Sequence, residues 1–182
     1  MSKIRIIGSK IELRDTIEND LDDYYRWFTE ELEWTKWDAP WEEIDDVFIR
    51  KYIEKLSSKI NNGFPIIRTR FEIYYESVHI GWVSSYYIKK DRKQRAVGIN
   101  ITEQQFWGNG FGREALTLFI KYLFDNNIST LFCQTWSGNT RMTRLAQSLG
   151  FIKIEDTEIV IIKNEKYNHI KYQIGSSKKN KL

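Results

Sequence analysis

The chain has 182 residues, of which 41% are hydrophobic and 29% charged, with a net charge of +3 at neutral pH. That length supplies one buried core and argues for a single domain. No apolar run is long enough to span a bilayer and no charged-then-apolar leader is seen, so a cytoplasmic protein without a membrane partner is expected. The lone cysteine, Cys133, cannot form an internal disulfide and lies in a β-prone run, which predicts a buried thiol rather than an acyl carrier. With His79 and His169 as the two histidines, a zinc set is not expected either. The positive excess is concentrated in the tail 176–182, read as a disordered, solvated end beyond a domain of residues 1–175. Aromatic residues fall at core periodicities and no basic stripe interleaves with them, so a nucleic-acid partner is not expected.

In chain order, Lys10 to Arg14 reads as a strand, and the turn Ile17-Glu18-Asn19-Asp20 leads into a helix over Leu21 to Glu31 with Asp20 as its N-cap. Three indoles, Trp34, Trp37 and Trp41, surround Asp38 in a short irregular segment; they form either a core plug or a binding wall. An amphipathic helix follows from about Glu42 to Lys59, stopped by Asn61-Asn62-Gly63. Strands are predicted over Ile66 to Tyr75 and His79 to Ile88, turned near Glu76-Ser77, then an exposed charged turn over Lys89 to Lys93 and a strand over Arg95 to Thr102. A helix over Gly112 to Asn126, a strand over Thr130 to Thr135, a helix over Thr140 to Leu149 and a hairpin from about Ile152 to Ile174 complete the pattern.

The densest signal is Phe106-Trp107-Gly108-Asn109-Gly110-Phe111-Gly112-Arg113-Glu114-Ala115, a glycine-rich turn between a strand and a helix. Glycines there admit positive φ and let several backbone N–H groups face one anion, which the helix N-terminus favours further. No Gly-Lys-Ser/Thr follows, so the loop is not of the NTPase type, and no βαβ unit with an acidic second strand end follows either. Alone, the loop is also compatible with an ordinary glycine turn. A second element raises the specificity: Cys133-Gln134-Thr135-Trp136-Ser137-Gly138-Asn139 precedes a helix that closes on Gly150-Phe151.

Taken together, Gly98-Ile99-Asn100-Ile101, the segment Trp107 to Ala115, Asn139 and Gly150-Phe151 stand in the order found in the GNAT superfamily of acyl-CoA-dependent N-acyltransferases. The chain resembles its RimJ/RimL-like branch, strongly over the second half and more loosely before it. The resemblance implies a mixed α/β fold: a mostly antiparallel central sheet with a splayed pair of strands, flanked by about four helices. It implies acetyl-CoA as co-substrate, with Trp107, Gly108, Asn109, Gly110, Phe111, Gly112 and Arg113 at the pyrophosphate. Ile99, Asn100 and Ile101 then pair with the pantetheine arm, a backbone N–H there polarises the thioester carbonyl, and Asn139 contacts the cofactor besides capping its helix. Arg113 and Lys121 reach phosphates or remain solvated.

Acetyl transfer to an amine needs a base, because an amine near pKa 10 is mostly charged at neutral pH. Glu103 is the first candidate by resemblance, with a plain solvent-exposed carboxylate as the alternative. The family's usual acid positions hold Ala146 and Met142 here, leaving Tyr167, Tyr172, Ser137 or solvent to serve. Glu33, Asp38 and Glu42 present carboxylates to a cationic acceptor, with indoles such as Trp37 packing its carbon chain. The implied acceptor is a protein or peptide N-terminus, a polyamine or another small amine; the alternatives are a non-catalytic acyl-CoA-binding module and a nucleic-acid-associated protein. Homodimers are common in the family, and no interface is legible from one sequence.

Overall fold

The computed structural model describes residues 3–88, 91–162 and 164–177. Its strands are β1 (Arg5–Ile7), β2 (Glu12–Arg14), β3 (Arg70–Tyr75), β4 (Val78–Ile88), β5 (Asp91–Ile101), β6 (Thr130–Trp136), β7 (Ile152–Ile162) and β8 (Glu165–Gly175). The helices are α1 (Asp20–Thr29), α2 (Asp46–Asn62), α3 (Phe111–Asp125) and α4 (Thr140–Ser148), with 3-10 turns at Leu32–Lys36 and Gln104–Phe106. All eight strands form one sheet in the order β1-β2-β3-β4-β5-β6-β8-β7. Every neighbouring pair is antiparallel except β5 with β6, which run parallel across the crossover made by α3. Among the described residues no helix is long and apolar enough to cross a membrane.

The two faces of the sheet carry different cores, and the period-2 alternation of β4 shows why. Val83 joins the main cluster, where α3 lays Ala115, Leu116, Phe119, Ile120 and Leu123 against Leu13, Phe71, Ile73 and Val97. Its neighbour Trp82 points the other way, into the aromatic cluster of α1 and α2 built from Tyr24, Trp27, Phe28, Trp34, Ile49 and Leu56. The sheet is thus covered by α3 on one side and by the α1–α2 layer on the other. Gly81, at φ +150°, marks a close approach of β4 to β5, where a Cβ would fall inside the contact distance of the Asn100 carbonyl oxygen.

Beneath α1 lies a buried ionic network. Arg70 donates to Glu72 (2.9 Å), to the Tyr52 hydroxyl (2.6 Å) and to the Tyr24 hydroxyl, which itself donates to Glu72. His79 bridges Asp23 (3.0 Å) and Glu72 (3.1 Å) and stacks on Tyr74. Burial alone raises Glu72, but Arg70 and His79 hold it well below the usual carboxylate range. For His79, burial opposes the charge, yet the bonds to Asp23 and Glu72 outweigh it and raise its pKa above the ordinary 6.5. A raised histidine stabilises the fold fully below about pH 6.5 and loses that contribution as pH rises through the folded-state value. The urea midpoint is therefore expected to fall from about pH 6 toward the alkaline side, and His79→Gln to flatten that fall.

The structure revises several predicted boundaries. Strand β1 was not expected; it is three residues long and pairs with β2 alone. Asn19, not Asp20, occupies the N-cap of α1; Asp20 is fully buried because its carboxylate accepts from Arg14 (2.7 Å), the Ile17 amide (2.8 Å) and Tyr74 (2.5 Å). Helix α2 starts at Asp46, where Asp45 caps the Phe48 amide at 2.7 Å, rather than at Glu42. Strand β3 starts at Arg70 rather than Ile66. Of the expected turn Lys89 to Lys93, residues 91–93 belong to β5, while 89 and 90 lie outside the described residues, as does 178–182 of the expected tail.

Candidate active site

Strands β5 and β6 meet at the pair Ala96 and Phe132, the one register pair between them among the described residues, and diverge beyond it. Into the wedge opens a cleft of about 920 Å³. Its floor is the outward face of β4 and β5: Trp82 opposite Asn100, then Ser84 opposite Gly98. Gly98 takes no left-handed φ, and a Cβ there would meet only Ser84 Oγ, at 4.0 Å. Neither backbone nor packing requires a glycine at that point, so its effect is open volume in the cleft.

One end of the cleft is the glycine loop. Gly108 (φ +78°) and Gly110 (φ +84°) take left-handed conformations, and Gly110 is the N-cap of α3 with no side chain to bond the first-turn amides. Both α2 and α4, by contrast, are capped by side chains, Asp45 and Asn139. The N–H groups of Phe111, Gly112 and Arg113 are thus offered at the positive end of a 15-residue helix, a ready anion site. Glu114, one turn further on, accepts from the backbone amides of Ser9 and Lys10 (2.9 Å) and from Ser9 Oγ (3.1 Å), stapling the β1–β2 turn to α3. This brings Lys10 Nζ to 3.2 Å from the Asn109 carbonyl, beside the loop.

A strap formed by the segment after the first 3-10 turn crosses the other end. The Trp37 carbonyl accepts from Trp136 Nε1 (3.2 Å) and from Asn139 Nδ2, while Asn139 Oδ1 accepts from the Met142 amide (2.9 Å). The Arg141 guanidinium is sandwiched between the Trp37 ring (4.3 Å) and the Trp107 ring (4.1 Å). Trp107 Nε1 in turn donates to the Ile101 carbonyl at 2.8 Å. Asp38 faces the cleft and accepts from Asn100 Nδ2 at 3.2 Å. Its carboxylate stays solvent-accessible at the rim, yet crowding by the surrounding protein raises its pKa, Glu42 adds to the rise, and only the Asn100 amide opposes it.

The sequence matches the family model described as "Acetyltransferase (GNAT) domain" over residues 10–152. The chain belongs to the GNAT family. Solved GNAT-like structures share its fold at low identity. RimL, the ribosomal L7/L12 alpha-N-protein acetyltransferase in complex with coenzyme A, matches at 15% identity and TM-score 0.75 over 96% of this chain and 98% of that one. The ribosomal-protein-S5-alanine acetyltransferase from Vibrio fischeri matches at 17% and 0.74 over 95% and 97%. The putative acetyltransferase yncA from Salmonella typhimurium, solved with acetyl-CoA, matches at 15% and 0.70 over 92% and 95%. These neighbours accord with the RimJ/RimL-like motif. No curated protein matches the sequence.

As a GNAT chain, the protein gathers most of its predicted site residues in one cleft. Ile99, Asn100, Ile101, Trp107, Gly108, Gly110, Phe111, Gly112, Arg113, Asn139, Trp37 and Asp38 all line it. Asn109 does not; its amide donates back to the Gln105 carbonyl (3.2 Å). Lys121 is also outside the lining. Glu103 sits on the far side of its loop, committed to Arg26 (2.7 Å), Trp27 Nε1 (3.3 Å) and Gln105 (2.8 Å), and Glu33 pairs with Lys36 on that same outer surface. Among the alternative acids, Tyr172 is buried in the main core, Tyr167 donates to Glu165 (2.6 Å) and Ser137 accepts from the Asn168 amide (3.0 Å); none lines the cleft. The hydroxyl-bearing residues that do are Thr35, Tyr52, Ser84, Tyr86 and Thr135; Tyr86, though half-exposed, is pushed up to about 12 by the protein crowded around it and is protonated at neutral pH. Of the three clustered indoles, Trp34 is buried in the aromatic core with an edge on the cleft, Trp37 is cleft wall and Trp41 is exposed at 45%. The Cys133 thiol is buried and likewise raised to about 12, an inert state. Arg141, which the sequence reading missed, carries a weak signal: it stands two residues after Asn139 on the first turn of α4.

Proposed function

We propose that the protein is an N-acetyltransferase that moves an acetyl group from acetyl-CoA to a primary amine. The observation that carries this reading is one continuous cleft joining an uncapped, glycine-bounded helix N-terminus to the splayed edge of β5. The amides of Phe111, Gly112 and Arg113 would hold the pyrophosphate. Residues Ile99 to Ile101 would pair with the pantetheine arm as an added strand, which brings the thioester toward Asn100 and Asp38. Bound there, acetyl-CoA supplies the activated acyl group; the chain supplies orientation, exclusion of water and handling of protons.

The acceptor most consistent with the ribosomal-protein acetyltransferases among the structural neighbours is the α-amine of a protein or peptide. The cleft walls fit such a group, with aromatic rings from Trp37, Tyr52 and Trp82 around the Asp38 and Glu42 carboxylates. The competing reading is a binding module without turnover, favoured by Ala146 lying in the core and Met142 at the other usual acid position. A thermal-shift titration with acetyl-CoA, followed by thiol release in the presence of an unblocked tetrapeptide, separates the two. Binding with thiol release is the expected result; binding without release for this and other primary amines selects the module, and no binding removes both.

A further inference from the structure

A carboxylate other than the expected one is placed for proton transfer. Glu103 is neutralised by Arg26 outside the cleft, whereas Asp38 forms no ion pair among the described residues and faces into it. Irregular segments are ordinarily mobile, but this one is anchored by several elements at once. Trp136 from β6 and Asn139 from the start of α4 bond the Trp37 carbonyl, Arg141 clamps the Trp37 ring, the Asp38 amide donates to the Trp34 carbonyl (3.3 Å), and Asn100 from β5 holds the carboxylate itself. The carboxylate is therefore preorganised beside the diverging strand edge, above the open floor of Ser84 and Gly98.

We propose that Asp38 is the general base of this GNAT chain. The assignment rests on the acetyltransferase reading given above. The acceptor ammonium gives one proton to an Asp38 carboxylate oxygen and on to solvent. The freed nitrogen lone pair forms the N–C bond to the acetyl carbonyl carbon as the C–S bond breaks, and the second nitrogen proton ends on the sulfur, leaving an amide and free coenzyme A. The groups facing Asp38 suit this: Glu42 disfavours a second negative charge, the Tyr52 and Tyr86 hydroxyls are raised and so neutral at the working pH, and of the cations lining the cleft Arg141 is engaged between two indoles and Arg113 sits on the first turn of α3. A base whose pKa is lifted toward neutrality accepts the proton more strongly.

Asp38→Asn is the test, because asparagine is isosteric and its carbonyl still accepts from Asn100, so the strap is retained. With the unblocked tetrapeptide as acceptor, kcat is expected to fall about 10²- to 10⁴-fold while the acetyl-CoA thermal shift matches wild type. The pH profile supplies a readout that a structural role would not move. Below the α-amine pKa of about 8 the neutral amine grows about tenfold per pH unit. The variant should follow that slope, and wild type should stay flat down to the Asp38 titration. Glu103→Gln should keep the flat profile. An Asp38→Asn enzyme that binds acetyl-CoA and keeps wild-type kcat and profile overturns the assignment alone; a wild type that takes no acetyl-CoA overturns the acetyltransferase reading instead.

Discussion

Arg70→Met is expected to lower stability by about 3–5 kcal/mol, the cost of leaving a buried charge without its partner. Glu72 is fully buried and receives Arg70, Tyr24, Thr16 and His79 together, so removing the guanidinium leaves the carboxylate with one cation, a histidine that must be charged to serve. For a domain of this size the loss corresponds to roughly 6–20 °C in Tm, measurable by calorimetry. The same variant frees the Tyr52 hydroxyl, which lines the cleft, so acceptor KM should rise as well. Arg5→Met supplies the contrast: its pair with Glu12 is two-thirds exposed on the Arg5 side, and its loss should leave Tm where it is.

Gly110→Asp is expected to abolish the acetyl-CoA thermal shift while leaving a folded protein. Asp tolerates a left-handed φ better than most residues, so the strain at φ +84° is about 1–2 kcal/mol. A carboxylate at an N-cap also bonds first-turn amides, which offsets part of that strain. Those are the N–H groups proposed to hold the pyrophosphate, now occupied and facing a like charge. Lys10 Nζ, 3.8 Å from where the new Cβ would stand, would pair with the added carboxylate and help hold it at the loop. Wild type at acetyl-CoA one hundred times its Kd gains about 2.7 kcal/mol, a rise of roughly 5–11 °C. A variant that melts like wild type without ligand and shows an undiminished rise with it would dissociate the loop from the cofactor.

How far the sequence was legible depended on the range of the interaction. The glycine loop, Asn139 as a cap, the α3 periodicity and the β7–β8 hairpin are written within a few residues of one another, and the structure carries each of them. Strand β1 was invisible because three residues without alternation give no pattern; its register comes from pairing with β2, and its following turn from Glu114, more than a hundred residues away. Asp20 looked like a cap because its role in the ionic network is set by Tyr74. Glu103 is a base candidate by resemblance alone, and nothing local reveals Arg26, 77 positions earlier, as its partner. Asp38 and Trp37 were singled out, but what anchors them is contributed by residues 100, 136, 139 and 141, a convergence that only the folded chain creates.

The divergence of β5 and β6 also bears on solubility. A sheet that opens along its middle has two inner edges with unpaired backbone groups, and exposed edges are templates for pairing with another chain. This molecule roofs that gap from within: the Trp37 carbonyl bridges Trp136 and Asn139, and the Trp107 indole occupies the Ile101 carbonyl. The segment that presents Asp38 to the cleft lies across this internal seam, so changes that loosen it are expected to be felt in aggregation as much as in turnover.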